Sequence, residues 1–226
     1  RGPVCINLPT NILANQGTLK INETNQSFDN QNSTKAKSNY IKKAVKIIGN
    51  SNKTVIIAGG GIKYTSKYKN IIKLAELLNI PIVTAAGHGD AIPFNHKLNA
   101  GQMGPRGNPV ASKLVKEASV IIALGTRLGF NSTFYSYENI NKRAKIIQVE
   151  LEKRMIGRYF PVAVGIYGDA ATIADQLYKE IKKQNITLDI KKWTNNYLNE
   201  RKNFLLNRKK FKEKNFPIQP NSLFRQ

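Results

Sequence analysis

Residues Thr54 to Thr84 constrain the fold more than any other stretch. They read TVIIAGGG, then an amphipathic segment, then NIPIVT. Val55 to Ala58 is an apolar, buried-strand run that enters three consecutive glycines, Gly59, Gly60 and Gly61. Tyr68, Ile71, Ile72, Ala75 and Leu78 then recur on one helical face, and Ile80 to Val83 forms a second apolar run. This pattern predicts a βαβ unit with a glycine turn at its first strand-to-helix corner. Such a corner lets backbone approach a phosphate, beside a helix N-terminus that favours negative charge.

The alternation continues along the chain. Asn39 to Ile48 has a helical apolar face, and Asn108 caps a further helix with Pro109 in its first position. Ser119 to Leu124, Lys145 to Val149 and Val162 to Tyr167 are apolar strand runs, the last followed by Gly168-Asp169-Ala170 and a helix carrying Ile173, Ala174, Leu177 and Ile181. Apolar strands alternating with helices predict an α/β fold, a doubly wound parallel sheet covered on both faces. Val4 to Leu8 reads as a short strand, Ala85 to Gly107 as a long loop, and Leu128 to Asn141 as a loop or short helix. From Asp189 the chain is basic and helical. Ile190, Trp193, Tyr197, Phe204 and Phe211 recur at heptad-like spacing, which predicts packing onto a neighbouring domain.

Ligands in open α/β sheets bind at the carboxyl ends of the strands. The corners there carry Gly59 to Gly61, Thr84, Gly125-Thr126-Arg127, Glu150 and Asp169. Arg127 is suited to pair with a phosphate through two parallel hydrogen bonds, and Glu150 to accept from a ribose hydroxyl. The bland alternative is that the glycines turn the chain while Glu150 and Asp169 cap helices. Five polar or small corners on one sheet edge favour a nucleotide. The NAD pattern fails, because Tyr64 stands where a third glycine belongs and Thr84 where an acid belongs. His88 and His96, with Asp90, suggest acid–base chemistry. No nucleophile accompanies them, however, so no catalytic and no metal-ligating residue is assigned.

The net charge of +22 over 226 residues raises the possibility of a polyanionic partner. Lys, Asn and Ile are abundant everywhere, and no nucleic-acid motif or stacking aromatic cluster stands out, so codon bias explains the charge and no nucleic-acid partner is expected. No apolar run approaches the roughly 20 residues needed to span a membrane. Cys5 is the one cysteine, which excludes a disulfide framework and suits a reducing cytoplasm. The first residues, RGPVCI, read as the middle of a longer protein.

Taken in order, RGPVCINLP (Arg1 to Pro9), VIIAGGG, IPIVT, Gly101-Gln102-Met103-Gly104, ALGTRL, KIIQVELEKRMIG and GIYGDA resemble thiamine-diphosphate-dependent enzymes. All but the first match the central domain, and the nearest broad group is acetolactate synthase-like. GTRLGFNSTF with KIIQVE and VGIYGDA is most similar to the sulfoacetaldehyde acetyltransferase branch. The arginine corner continues with Gly129-Phe130-Asn131 where acetolactate synthases usually carry two aspartates, and Glu150 stands where Asp is usual.

The resemblance implies a six-stranded central domain over 39–187. The end of an N-terminal pyrimidine-binding domain would precede it at 1–14, with a linker at 15–38. A basic helix and linker at 188–226 would lead into a diphosphate-binding domain. It implies a homodimeric or homotetrameric parent enzyme acting on a small molecule, with thiamine diphosphate and Mg²⁺ held by the outer domains. FAD or ADP is implied for some central domains of the family. By position, Gly59, Gly60, Gly61, Met103, Gly125, Arg127, Glu150 and Asp169 would line that site. In the sulfoacetaldehyde branch the acetyl acceptor is phosphate. The central domain alone would then have no turnover. A stand-alone nucleotide-binding or scaffold domain is the alternative. Gly168-Asp169 followed by Asn195-Asn196 mimics the family's metal motif, but Ala170 replaces its second glycine, so the pair is read as a chance match.

Overall fold

A computed structural model describes Cys5 and residues 7–17, 35–65 and 67–209. Residues 1–32 and 33–226 form two units. In the first, the described element is a short helix, α1, Thr10–Leu13. The strand expected at Val4 to Leu8 falls partly outside the described residues, and Cys5, Asn7 and Leu8 lie in no strand. Phe211 also lies outside them.

The second unit is a six-stranded parallel sheet of order β3-β2-β1-β4-β5-β6. The strands are β1 Thr54–Ala58, β2 Ile82–Thr84, β3 Asn99–Gln102, β4 Val120–Leu124, β5 Lys145–Glu150 and β6 Val164–Tyr167. Its helices are α2 Ser38–Gly49, α3 Lys69–Leu78, α4 Pro109–Glu117, α5 Phe130–Thr133, α6 Ala170–Lys183 and α7 Lys191–Lys209. β1 and β4 are buried at every position, as strands covered on both faces must be.

Successive strand residues point to opposite faces, so each strand feeds two cores. Ile56 and Ala58 of β1, and Val120, Ile122 and Leu124 of β4, join α2, α3 and α6 on one face. Val55, Ile57, Ile121 and Ala123 join α4 on the other, with Tyr197, Trp193 and Phe204 of α7 packed there too. The stripe on α7 therefore serves this sheet's own core, where a neighbouring domain was expected. Thr194 of α7 donates to the carbonyl of Asn79 at 2.9 Å.

Asn108 caps α4 as the sequence predicts, accepting from the N–H of Val110 at 2.8 Å, with Pro109 at the first helical position. The long loop expected over Ala85 to Gly107 contains the sixth strand, β3. Asn99-Ala100-Gly101-Gln102 offers almost no apolar signal, and its register shifts beside Gly101, which sits at φ +103°.

Candidate functional site

The strand order reverses between β1 and β4, where the two neighbouring strands send their chains in opposite directions across the sheet. Open α/β sheets bind ligands outside the carboxyl ends of the strands at such a switch point. Here the corners form a hydrogen-bonded row. Gly59 donates to Leu124 O at 3.0 Å, Gly61 to Gly125 O at 2.9 Å, Gly125 to Val149 O at 3.0 Å, and Gly168 to Glu150 O at 3.2 Å. The structure thus brings Gly59, Gly60, Gly61, Gly125, Glu150 and Asp169 along one edge, with Arg127 two residues past Gly125.

Close approach accounts for the glycines. A Cβ at Gly59 would stand 2.3 Å from Gly125 O, one at Gly60 2.6 Å from the His88 ring, and one at Gly61 2.9 Å from Gly125 Cα. Two of the three N–H groups expected to cradle a phosphate are therefore spent inside the protein. The corner does not open directly onto the N-terminus of α3 either. A 3-10 turn, Gly60–Tyr64, begins within the glycines, and α3 starts at Lys69.

The remaining candidates differ in what their side chains do. Arg127 is exposed, and among the described residues no hydrogen bond or ion pair holds its guanidinium. A carboxylate oxygen of Glu150 accepts from the N–H of Leu151 at 2.9 Å. Asp169 caps α6, accepting from both the N–H and the hydroxyl of Thr172 at 2.8 Å. The Met103 side chain is 1% exposed and belongs to the core on the α4 face, so it is not presented at the strand ends.

One residue that shapes the edge was not singled out from the sequence. Gln148 is a buried polar residue in an apolar strand. Its amide donates to Thr126 O at 3.1 Å and Met155 O at 3.3 Å, and its carbonyl accepts from the N–H of Gly157 at 2.8 Å. It thereby ties the arginine corner to the β5–β6 loop. His88 lies against Gly60 with Nδ1 buried and unpartnered among the described residues. Burial, and then the charge of Lys63, push its pKa below the usual imidazole value. His96 is structural, since it lies 3.5 Å from Glu76 and its Nδ1 accepts from the N–H of Leu98 at 3.3 Å. On the outer side of the 3-10 turn, Lys63 and Asp90, paired at 2.5 Å, line an open groove of about 330 Å³.

Aromatic rings also gather here, which the linear pattern did not reveal. Phe130, Phe134, Tyr135 and Tyr159 form a connected cluster from the segments following β4 and β5.

Among the described residues no group of three or more His, Cys, Asp or Glu is placed to hold a metal ion. Asp169 lies just past β6 at one sheet edge, whereas Asn195 and Asn196 lie on α7, which packs on α4 and β3 at the other. Five strand spacings, about 24 Å, separate those edges. Among the described residues no helix is long and apolar enough to cross a membrane.

The family model for the central domain of thiamine pyrophosphate enzymes matches residues 41–177, a span that runs from α2 into α6 and contains all six strands. A sulfoacetaldehyde acetyltransferase of Castellaniella defragrans is 34% identical over 151 residues, 66% of this chain and 25% of the relative. One from Roseovarius nubinhibens is 36% identical over 143 residues, 62% and 24% of the two chains. A probable acetolactate synthase large subunit of Methanococcus aeolicus is 32% identical over 164 residues, 69% and 27%. The chain spans about a quarter of the length of the curated relatives it matches.

Proposed function

The chain belongs to the thiamine pyrophosphate enzyme family, whose central domain it carries, and we propose that it serves as that domain in an acetyl-transferring enzyme. The sulfoacetaldehyde acetyltransferase branch, with phosphate as acceptor, is the specific reading. Two relatives of that name at 34% and 36% identity support it. Thiamine diphosphate, with Mg²⁺, would supply the electron sink for the two-carbon unit. The observation that carries the proposal is that the central-domain match covers the whole sheet, in a chain that spans about a quarter of the length of those relatives. On this reading catalysis belongs to the outer domains, and the chain holds the end of one at 1–14, a linker at 15–38, the central domain at 39–187 and a helix and linker at 188–226, in a homodimeric or homotetrameric cytoplasmic parent that uses neither nucleic acid nor membrane.

This chain's own part is to hold the strand edge that those domains or a nucleotide would use. Arg127 is the charged group free to meet the phosphates of FAD or ADP, and the backbone of Gly59 to Gly61 and Gly125 forms the floor. Glu150 and Asp169 border the far end, and Met103 backs the floor from within the core. The protein translated from the complete reading frame should convert sulfoacetaldehyde and phosphate to acetyl phosphate with release of sulfite, and only with thiamine diphosphate present. Acetolactate formation with no transfer to phosphate would reject this branch.

A further inference from the structure

The two faces of the sheet are not finished alike. On one, α2, α3 and α6 pack together as a helical layer over the core. On the other, α4 and α7 form the layer toward β3, and it stops there. The crossover from β4 to β5 contains only the four-residue α5, and that from β5 to β6 only a 3-10 turn, Lys153–Met155. Both crossovers lie on the α4 face, where Leu128, Ile140 and Phe160 join the core. β6 sends Val164 and Ile166 to the opposite core, so Tyr167 points to this thin side, where it is 41% exposed. A sheet face is ordinarily closed by a layer of secondary structure. Over β5 and β6 this face is closed by two irregular segments.

Those segments carry rings on the outside. Phe130, Phe134, Tyr135 and Tyr137 are each 38–53% exposed. Phe130 meets Phe134 edge-on at 4.9 Å, Tyr135 stacks on Tyr159 at 4.3 Å, and Tyr137 meets the buried Phe160 at 5.4 Å. The rings thus rest on one another and on the core. Phe134 and Tyr135 are held at φ +50° and +55°, a left-handed conformation that bulky residues avoid. The Thr133 hydroxyl fixes this shape, donating to Leu128 O at 2.9 Å and accepting from the N–H of Tyr135 at 3.1 Å. Strained backbone that keeps large rings at the surface points to function, and contiguous exposed apolar groups mark contact with another molecule.

The charge around the rings is one-sided. Arg158 lies 5.7 Å over the Tyr159 ring, Lys142 6.0 Å over Tyr137 and Lys153 4.9 Å over Tyr167. From Arg127 to Arg158 the chain carries seven Lys and Arg against three Glu, and of these Glu152 is paired with Arg154 at 3.2 Å. A second copy of this face would set cation against cation, which disfavours self-pairing. The chain spans about a quarter of the length of the curated relatives it matches, so a protein of their length has other domains to cover the face. We propose that the ring-bearing face over β5 and β6 docks a domain of the parent enzyme outside this chain, and that the occupant presents an apolar contact flanked by carboxylates. This rests on the central-domain reading and adds where on the domain its neighbour seats.

The test is hydroxyl-radical footprinting of the 226-residue chain and of the protein translated from the complete reading frame, at equal concentration. Labelling of each ring is read relative to Tyr40 of α2, which is exposed on the opposite face. Phe130, Tyr135 and Tyr137 should label about fivefold more weakly in the complete protein, as rings shut away from water in an interface do. Arg158→Glu should raise that labelling toward the level of the short chain, whereas Arg158→Lys should keep the rings shielded. Equal labelling in the two proteins overturns the docking face, whatever the complete protein catalyses. Rings that stay shielded in Arg158→Glu overturn the carboxylate-flanked occupant. Shielding that appears in the 226-residue chain and grows with its concentration assigns the face to a second copy and likewise overturns the proposal. A complete protein that shields the rings yet transfers no acetyl supports the docking face and rejects the acetyl-transfer reading.

Discussion

Gly61 and Gly125 lock the two central strand corners together: the Gly61 N–H donates to Gly125 O at 2.9 Å, and a Cβ on either would lie 2.9 Å from the other's Cα. Gly125 also sits at φ +59°, so Gly125→Ala combines backbone strain with a clash against backbone that cannot move aside. It should cost about 2–4 kcal/mol, read as a lower urea midpoint at unchanged slope. Gly87→Ala is the control, because Gly87 has φ +80° with open space around it. Its cost should be about 1 kcal/mol, the conformational part alone. Equal costs would remove the close-approach argument.

Gln148→Leu keeps the volume of a buried strand residue and deletes three hydrogen bonds. Thr126 O, Met155 O and Gly157 N–H lose their shared partner, which should cost about 2–4 kcal/mol. Amide exchange at Gly157 should accelerate beyond what the global stability change explains. Exchange that follows global stability alone would mean that Gln148 does not tie the two loops.

Asp169→Ala removes the cap of α6 and should destabilise the fold by about 1 kcal/mol, with Asp169→Asn recovering most of the loss. If Asn restores stability yet weakens a bound nucleotide, Asp169 serves the site as well as the helix.

His88 sets the onset of acid sensitivity. Burial holds its folded pKa below the unfolded value of about 6.5. As pH falls past that value the unfolded chain takes up the proton first, so stability, full above it, declines toward the folded pKa. Glu76 and Asp90 are also held low, chiefly by hydrogen bonds from Lys97 and Lys63 respectively, so their loss comes at lower pH, in the carboxylate range. Denaturation midpoints of His88→Gln should lose the first decline and keep the second.

Apolar runs made β1, β4 and β5 legible, because a strand buried on both faces must be apolar throughout. Asn108-Pro109 announced α4 for a similar reason, since a cap is a local event. β3 was illegible because its hydrogen bonds come from β2 and its residues carry no pattern. Gln148 looked like an interruption in KIIQVE, and only the folded chain shows which carbonyls it reaches. The aromatic rings are scattered between Phe130 and Tyr159, and the fold assembles them. The glycine corner was legible as a close approach, but the surface it approaches, Gly125, is 64 residues away.

Thiamine-diphosphate-dependent acetyl transfer by the purified 226-residue chain tests the central claim most directly. With thiamine diphosphate, Mg²⁺, sulfoacetaldehyde and phosphate supplied, no transfer above the protein-free blank is predicted, because the catalytic groups are proposed to lie outside this domain. Sustained turnover that requires the chain would contradict the account.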